Sequence, residues 1–286
     1  MIKCIASDMD GTLLTGKGSI SEKNQQAIKL AQKQGVEFVV ATGRSYQEAQ
    51  YALKQVGITC PVICVNGAML VDEAGKIFAS EVLSIEKALQ IANILAGSDI
   101  YFEIYTNKGT YTNNLEKAVS VMIDVYTSAN HNFTREQVEG VAKGRISEGL
   151  VHHVASYDMI LSDESTEIYK LLAFSADLDK LVGVREGLAE LTDIAVSSSG
   201  AGNLEITSIH AQKGIALQKF VARKGITLSE TMAVGDNDND ISMLKIVGRA
   251  VAMGNAPEHI KAQAHFVTDS NEHDGVAKAI YEALGM

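Results

Sequence analysis

The chain has 286 residues, of which 46% are hydrophobic and 21% are charged, and its formal net charge is −10. This composition is typical of a globular protein that buries a core, and the acidic charge disfavours nucleic acid and anionic membranes as partners. The short apolar start meets Asp8 at once and the 3 cysteines form no CxxC pair, which predicts no secretory signal and a reduced, cytoplasmic setting. The sequence carries no prediction of the oligomeric state.

Strand-like and helix-like segments alternate at both ends of the chain. Buried apolar runs predict strands, and amphipathic runs with a capping serine or a following glycine predict helices. This alternation predicts a Rossmann-like α/β core built on a parallel sheet. The apolar runs cover residues 3–7, 36–41, 62–65, 231–234 and 249–253, and the predicted helices cover 21–34, 46–55, 213–224, 241–247 and 275–284.

The middle of the chain has an α+β pattern with antiparallel pairs. A hairpin is predicted at 100–112, with further strands at 170–174, 195–198 and 204–207 and a helix at 178–191. We therefore predict two domains, an α/β core formed by residues 1–83 and 209–286 and an α+β domain inserted at 84–208.

Two acids follow the first predicted strand. Ligands of an open parallel sheet bind beyond the carboxyl ends of its strands, and Asp8 and Asp10 lie just past such an end. Their i, i+2 spacing lets both side chains reach one pocket if the chain stays extended. Because nearby carboxylates repel each other, the pair needs a cation or a shared proton, and Mg²⁺ prefers oxygen ligands. The alternative is a pair of acids that cap a turn for structural reasons.

A phosphate-binding loop is a competing interpretation of the same stretch. Gly11 to Lys17 matches the spacing G-x-x-x-x-G-K, but the next residue is Gly18, where such a loop needs Ser or Thr to hold Mg²⁺. The acids Asp8 and Asp10 would also crowd the phosphate oxygens. The sequence therefore disfavours a nucleotide-binding loop.

Polar residues follow other strands or open a helix. Thr42-Gly43-Arg44 ends the second strand, and Lys213-Gly214 opens a helix, where the dipole favours an anion. The acidic stretch GDNDND, residues 235–240, comes directly after an apolar strand. It does not fit a calcium-binding EF-hand loop, because the required glycine and glutamate are replaced by Ile241 and Val247.

Together these motifs resemble the haloacid dehalogenase superfamily of phosphohydrolases. The pattern is DxDGT, then TG, then KG, then GDxxND, in that order along the chain. The inserted segment, with Val65-Asn66-Gly67-Ala68 before it and NLEIT (203–207) at its end, resembles the Cof-type subfamily with a large α/β cap. The segment 208–213 departs from the family, which more often has a proline near its start and a small residue before the lysine.

The resemblance implies a role for each motif residue. Asp8 would be the nucleophile and a metal ligand, and Asp10 would be the general acid and base. Mg²⁺ would be held by the Asp8 carboxylate, the Asp10 carbonyl and Asp236, with Asp240 supporting the metal from behind. Contacts with the phosphoryl group or the rest of the substrate are implied for Met9, Gly11, Thr42, Gly43, Arg44, Asn66, Lys213 and Asn239.

The implied activity is a cytoplasmic, Mg²⁺-dependent phosphatase of small phosphorylated metabolites such as sugar phosphates. Flavin mononucleotide and pyridoxal phosphate stay open as substrates. A phosphotransferase or mutase on the same scaffold and a non-catalytic phosphometabolite-binding protein are the alternatives. In the predicted cap, Arg145 and His152 are guesses for substrate contacts.

Overall fold

The computed structural model describes residues 1–129, 134–200 and 202–286. These residues divide into two compact units, Met1–Ser80 with Ala211–Met286, and Glu81–His210. The strands are β1 (Cys4–Ser7), β2 (Glu37–Ala41), β3 (Val62–Cys64), β4 (Met69–Val71), β5 (Ile77–Ser80), β6 (Tyr101–Thr106), β7 (Gly109–Thr112), β8 (Val151–His153), β9 (Ile168–Phe174), β10 (Ile194–Ser197), β11 (Asn203–Ser208), β12 (Thr231–Gly235), β13 (Arg249–Ala252) and β14 (Phe266–Val267). The helices are α1 (Glu22–Lys33), α2 (Tyr46–Gln55), α3 (Ile85–Gly97), α4 (Leu115–Ala129), α5 (Arg135–Ser147), α6 (Asp158–Leu161), α7 (Leu178–Leu188), α8 (Lys213–Arg223), α9 (Ile241–Leu244), α10 (Glu258–Lys261) and α11 (Gly275–Ala283).

The first unit is built on one sheet with the strand order β14-β13-β12-β1-β2-β3-β4-β5. Strands β13, β12, β1, β2 and β3 run parallel, as predicted, and β1 pairs with both β2 and β12. Strand β14, which was not predicted, pairs parallel with β13. All four residues of β1 are buried, because a central parallel strand is covered on both faces and so forms a continuous apolar run. The α/β prediction for this part of the chain is confirmed.

An antiparallel hairpin extends this sheet beyond the prediction. Strand β4 pairs antiparallel with β3, and β5 pairs antiparallel with β4. The apolar run of β4 is short, and the residues of β5 are exposed or half-buried, so neither gives a strong strand pattern. The predicted helix at 241–247 is also shorter than expected, since α9 ends at Leu244.

The second unit has its own sheet, with the strand order β10-β11-β9-β6-β7-β8. Its pairs are antiparallel except β7 with β8, and the predicted hairpin is β6 and β7. One face carries alternate apolar residues such as Phe102, Ile104 and Leu171, which pack against α3, α6 and α7. The opposite face includes buried polar residues such as Glu103 and Lys170.

The parallel strands of the first unit end at one edge of the sheet. In the register of β1 with its neighbours, Ser7 pairs with Val40 of β2 and with Val234 of β12. The residues that follow these strands therefore lie side by side, as the sequence argument requires. Among the described residues, no helix combines the length and the apolar character that crossing a bilayer requires.

Candidate active site

Asp8 lies at the carboxyl end of the central strand and is buried. Its backbone N–H donates to Val234 O across 2.9 Å, which continues the pairing of β1 with β12 by one residue. Its Oδ1 accepts a hydrogen bond from Lys213 Nζ at 2.5 Å. Only 4% of Asp8 is exposed, so its carboxylate depends on the groups around it rather than on water for stabilisation.

Lys213 joins two buried carboxylates. It is the first residue of α8 and fully buried, and its Nζ lies 2.7 Å from Asp240 Oδ1. The second oxygen of Asp240 accepts hydrogen bonds from the backbone N–H groups of Asp236, at 2.8 Å, and Asn237, at 3.0 Å. A Cβ at Gly235 would lie 2.6 Å from the Asp240 carboxylate. Asp240 thus anchors both the lysine and the loop after β12.

Asp236 faces the loop that follows Asp8. Its Oδ1 accepts a hydrogen bond from the Thr12 hydroxyl at 2.7 Å. The facing position is Gly11, whose φ is +75°, and a Cβ there would overlap the Asp236 carboxylate. Glycine is therefore needed at position 11 for two reasons, the left-handed backbone and the close approach of Asp236.

The site has more negative than positive buried charge. Carboxylate oxygens of Asp8, Asp236 and Asp240 lie within 4.8 Å of one another, and Lys213 pairs with two of these acids. Burial and then the Asp240 charge raise the pKa of Asp8 well above its usual range. Burial and then Asp240 also raise the pKa of Asp236, to about 7. Burial alone would lower the pKa of Lys213, but Asp240 and Asp8 raise it overall.

This donor set fits a divalent cation that prefers oxygen ligands. Both oxygens of Asp240 are engaged by N–H donors. Asp8 and Asp236 each use one oxygen in hydrogen bonds to described residues, which leaves the other oxygen of each for a metal. A cation between them would remove the repulsion that raises both pKa values, and the residues present therefore fit Mg²⁺.

Asp10 pairs with Arg44. The guanidinium donates twice, from Nε to Oδ2 at 2.8 Å and from Nη2 to Oδ1 at 2.6 Å. The Asp10 side chain is 52% exposed and that of Arg44 is 33% exposed. The motifs imply separate roles for these two residues, whereas the structure joins them in a forked ion pair at the mouth of the site.

The loops after β2 and β3 are tied together around Thr42. The Thr42 hydroxyl accepts the Arg44 backbone N–H at 3.1 Å, and the Thr42 carbonyl accepts that of Asn66 at 3.0 Å. Gly43 lies in the bend between Thr42 and Arg44. Asn66 has a left-handed φ of 59°, and its Oδ1 accepts from Asn239 Nδ2 at 3.3 Å. Thr42 is fully buried, and its hydroxyl donates no hydrogen bond to the described residues.

The chain matches the family model of haloacid dehalogenase-like hydrolases over residues 5–280. It belongs to this family. Among its relatives, Phosphatase YwpJ of Bacillus subtilis (strain 168) is 35% identical over 285 residues, covering 99% of this chain and 100% of the relative. The 5-amino-6-(5-phospho-D-ribitylamino)uracil phosphatase YwtE of the same organism is 35% identical over 286 residues, covering 99% of this chain and 98% of the relative.

A solved structure shares the whole fold of this hydrolase. A haloacid dehalogenase-like hydrolase from B. subtilis superposes with a TM-score of 0.90 at 35% identity, covering 98% of this chain and 99% of the other. The predicted family, the α/β core with its inserted α+β segment and the prediction of an enzyme of this hydrolase class are confirmed. The roles of individual residues stay predictions.

Several residues of this hydrolase site were missed in the sequence. Thr12 binds Asp236, Ser242 Oγ accepts the Gly214 backbone N–H at 3.0 Å, and Asn255 Nδ2 donates to Gly11 O at 2.8 Å. Asn255 lies just after β13, so the rule that polar residues follow the strands of a parallel sheet would have found it. The Met9 side chain is fully buried, so the contact with a phosphoryl group that the sequence implies for Met9 is one through its backbone N–H, and it stays a prediction.

The two guessed residues of the inserted segment have partners within the second unit. Arg145 Nη2 donates to Glu103 Oε2 at 2.9 Å, and Nη1 donates to Glu103 Oε1 at 3.2 Å. The ring of His152 lies 5.5 Å from that of Tyr111. The substrate contacts suggested for both, and the assignment of this unit to substrate specificity, stay predictions.

Proposed function

We propose that the protein is a cytoplasmic, Mg²⁺-dependent phosphatase that hydrolyses small phosphorylated metabolites, with sugar phosphates as the preferred class. The observation that carries this proposal is Asp8, a buried carboxylate at the end of the central strand, held by Lys213 and placed beside Asp236. Three buried, unpaired cysteines support the cytoplasmic location.

The residues that would hold Mg²⁺ are Asp8, Asp236 and the backbone carbonyl of Asp10. When bound, the metal would offset the negative charge of the site and of the phosphate ester, so that an anionic nucleophile can approach an anionic substrate. Asp240 would support the metal site without binding the metal, since its oxygens accept hydrogen bonds from Lys213 and from the backbone N–H groups of the loop after β12. This leaves the nucleophile and the metal ligand in fixed positions.

Asp8 would attack the phosphorus atom through a carboxylate oxygen. An oxygen–phosphorus bond to Asp8 forms while the bond from phosphorus to the leaving alcohol breaks, and Asp10 gives its proton to the leaving oxygen. Water then attacks the phosphorus of the aspartyl-phosphate, Asp10 takes up the proton, and inorganic phosphate and the Asp8 carboxylate are released. Lys213 holds the Asp8 carboxylate in place throughout.

Arg44 and Asp10 would separate when substrate enters. In the structure the guanidinium occupies both carboxylate oxygens of Asp10, so that neither oxygen is available to the leaving group. We propose that the Arg44 guanidinium exchanges its hydrogen bonds to Asp10 for hydrogen bonds to an anionic or hydroxyl group of the substrate, in keeping with the predicted role of Arg44 as a substrate contact. Because the pair is partly exposed, this exchange costs little free energy.

The proposed substrate class is supported by the polar side chains of the site and by the name of one relative. The name of the relative YwtE describes the phosphate ester of a ribityl chain, which is a polyol phosphate related to sugar phosphates. The polar side chains of Arg44, Asn66 and Asn239, which carry N–H donors and amide oxygens near the strand ends, suit a leaving group rich in hydroxyls. We therefore propose open-chain or cyclic sugar phosphates before flavin mononucleotide or pyridoxal phosphate.

The test is phosphate release from p-nitrophenyl phosphate and from a panel of sugar phosphates, flavin mononucleotide and pyridoxal phosphate. We expect turnover with Mg²⁺, none with EDTA, and none for Asp8→Asn, whereas the matched surface variant Asp179→Asn keeps full activity. ³¹P NMR should show inorganic phosphate as the product. Turnover that survives EDTA or Asp8→Asn would refute the mechanism, and an isomeric phosphate ester as the product would instead show phosphoryl transfer between sugars.

A further inference from the structure

The loop that follows Asp8 is an irregular turn of the π type. It spans Met9–Leu13, and the Leu14 backbone N–H donates to Met9 O at 2.8 Å. Asp10 and Gly11 have non-helical backbone angles inside it. Such a turn leaves carbonyl oxygens without the regular partners that a helix provides, and these oxygens need donors from elsewhere.

Three asparagine side chains supply these donors, and we call them the asparagine clamp. One comes from α1, one from the loop after β13, and one from the turn before α11. Each uses its amide nitrogen to bind a different carbonyl of the same short loop. The clamp consists of Asn255 Nδ2 to Gly11 O at 2.8 Å, Asn271 Nδ2 to Leu14 O at 2.9 Å and Asn24 Nδ2 to Leu13 O at 3.4 Å.

The amide oxygens of the clamp fix the direction of these bonds. Asn255 Oδ1 accepts the Asn271 backbone N–H at 3.0 Å, and Asn24 Oδ1 accepts the Ala277 backbone N–H at 2.9 Å. Each of these side chains therefore bridges a donor on one side and an acceptor on the other, which an aspartate cannot do because it has no N–H group. Glu272 adds a further tie, accepting the Gly16 backbone N–H at 2.5 Å.

We propose that Asn255 and Asn271 are positioning residues for phosphoryl transfer, which rests on the proposed function. Asn255 holds the carbonyl one residue beyond Asp10, and Asn271 holds the end of the turn. Together they fix the backbone that presents Asp10 to the metal and to the leaving group. Asn255 is exposed and Asn271 half-buried, so their contribution is to the geometry of the loop rather than to the core.

The experiment compares Asn255→Ala, Asn255→Asp and Asn271→Ala with the parent enzyme, and uses Asn93→Ala, an exposed position on α3, as the matched control. With p-nitrophenyl phosphate and Mg²⁺ we expect kcat to fall by about 10-fold or more while KM changes by less than about 2-fold, because misplacing a reacting group costs rate rather than binding. Asn255→Asp should not rescue kcat, although it preserves the shape of the side chain.

A second measurement does not depend on activity. Hydrogen exchange of the backbone amides in 9–18 should speed up by about 10-fold in the clamp variants, and exchange in the rest of the chain should be unchanged. If the exchange rates in residues 9–18 are the same in the variants as in the parent, the asparagine side chains do not hold this loop, whatever the activity of the parent. Faster exchange with an unchanged kcat would overturn the positioning role. A parent enzyme without turnover refutes the proposed function, while the exchange data still decide whether the clamp exists.

Discussion

Replacing Asp236 with asparagine should stabilise the metal-free fold at neutral and alkaline pH. Asp236 has a pKa of about 7 in the folded protein, raised by burial and by Asp240 from the ordinary value of 3.8. The folded state therefore binds this proton more tightly than the unfolded state does. The stability that this proton contributes is complete below about pH 4 and is lost as the pH rises through about 7.

The size of the effect follows from this difference in pKa. Each pH unit is worth about 1.4 kcal/mol, so a rise from 3.8 to about 7 gives an upper limit of about 4 kcal/mol for the parent protein above pH 7. The asparagine side chain would carry no charge, and its amide oxygen can still accept the Thr12 hydroxyl. We expect Asp236→Asn to recover a good part of that limit at pH 8 and little of it at pH 5.

The assay is thermal unfolding in EDTA at pH 5 and pH 8. At about 2–4 °C for each kcal/mol, the Tm of Asp236→Asn should exceed that of the parent by several degrees at pH 8 only. Added Mg²⁺ should raise the Tm of the parent and leave the variant unchanged, since binding to the folded state stabilises it.

The matched variant Asp240→Asn should have the opposite effect. Asp240 accepts from Lys213 and from two backbone N–H groups, and an amide in its place would leave one of these donors unpaired and remove a charge from the buried lysine. Breaking such a buried pair costs about 3 kcal/mol or more. If Asp236→Asn lowers the Tm at pH 8 as much as Asp240→Asn does, the reasoning on charge repulsion is wrong.

Three further substitutions test other parts of the structure. Gly235→Ala places a Cβ 2.6 Å from the Asp240 carboxylate and should lower the free energy of unfolding by about 1–3 kcal/mol. It should also abolish the rise in Tm that Mg²⁺ causes, whereas an unchanged Tm would show that the loop has room for the Cβ. Arg44→Ala removes a partly exposed pair, so stability to urea should change by less than about 1 kcal/mol while KM for a sugar phosphate rises; an unchanged KM would exclude Arg44 as a substrate contact. Arg145→Met leaves Glu103 fully buried without its guanidinium, which should cost about 3 kcal/mol in urea unfolding; a loss near zero would mean that Glu103 is satisfied by other groups.

The strand-end rule explains why much of the site was predictable from the sequence. Asp8 and Asp236 each follow an apolar run, and a parallel sheet brings the ends of such runs to one edge. Local pattern and strand direction are enough to place these residues, so errors of a few residues in the strand bounds do not change the prediction. The same rule extends to Asn255, which lies just after β13.

Burial and pairing were not predictable in the same way. A lysine at the start of a helix is usually solvated, and nothing in the local sequence shows that Lys213 is fully buried between two acids. The forked pair of Arg44 with Asp10 joins residues 34 positions apart, and side chains that meet across such a separation are set by tertiary structure. The same holds for the hairpin β4–β5, because β4 forms by pairing with the edge of β3, and the exposed or half-buried residues of β5 form a strand by pairing with β4.

The distribution of charge connects stability to the proposed chemistry. A fold that only needed to be stable would not bury three carboxylates with one lysine, because burial and mutual repulsion raise the pKa of both Asp8 and Asp236. Lys213 and the N–H donors to Asp240 compensate one part of this charge, and the remaining part faces the open edge of the sheet. Asp8 and Asp236 are the two carboxylates proposed to bind Mg²⁺. The repulsion that destabilises the metal-free fold at neutral pH is therefore the same repulsion that a bound cation would relieve.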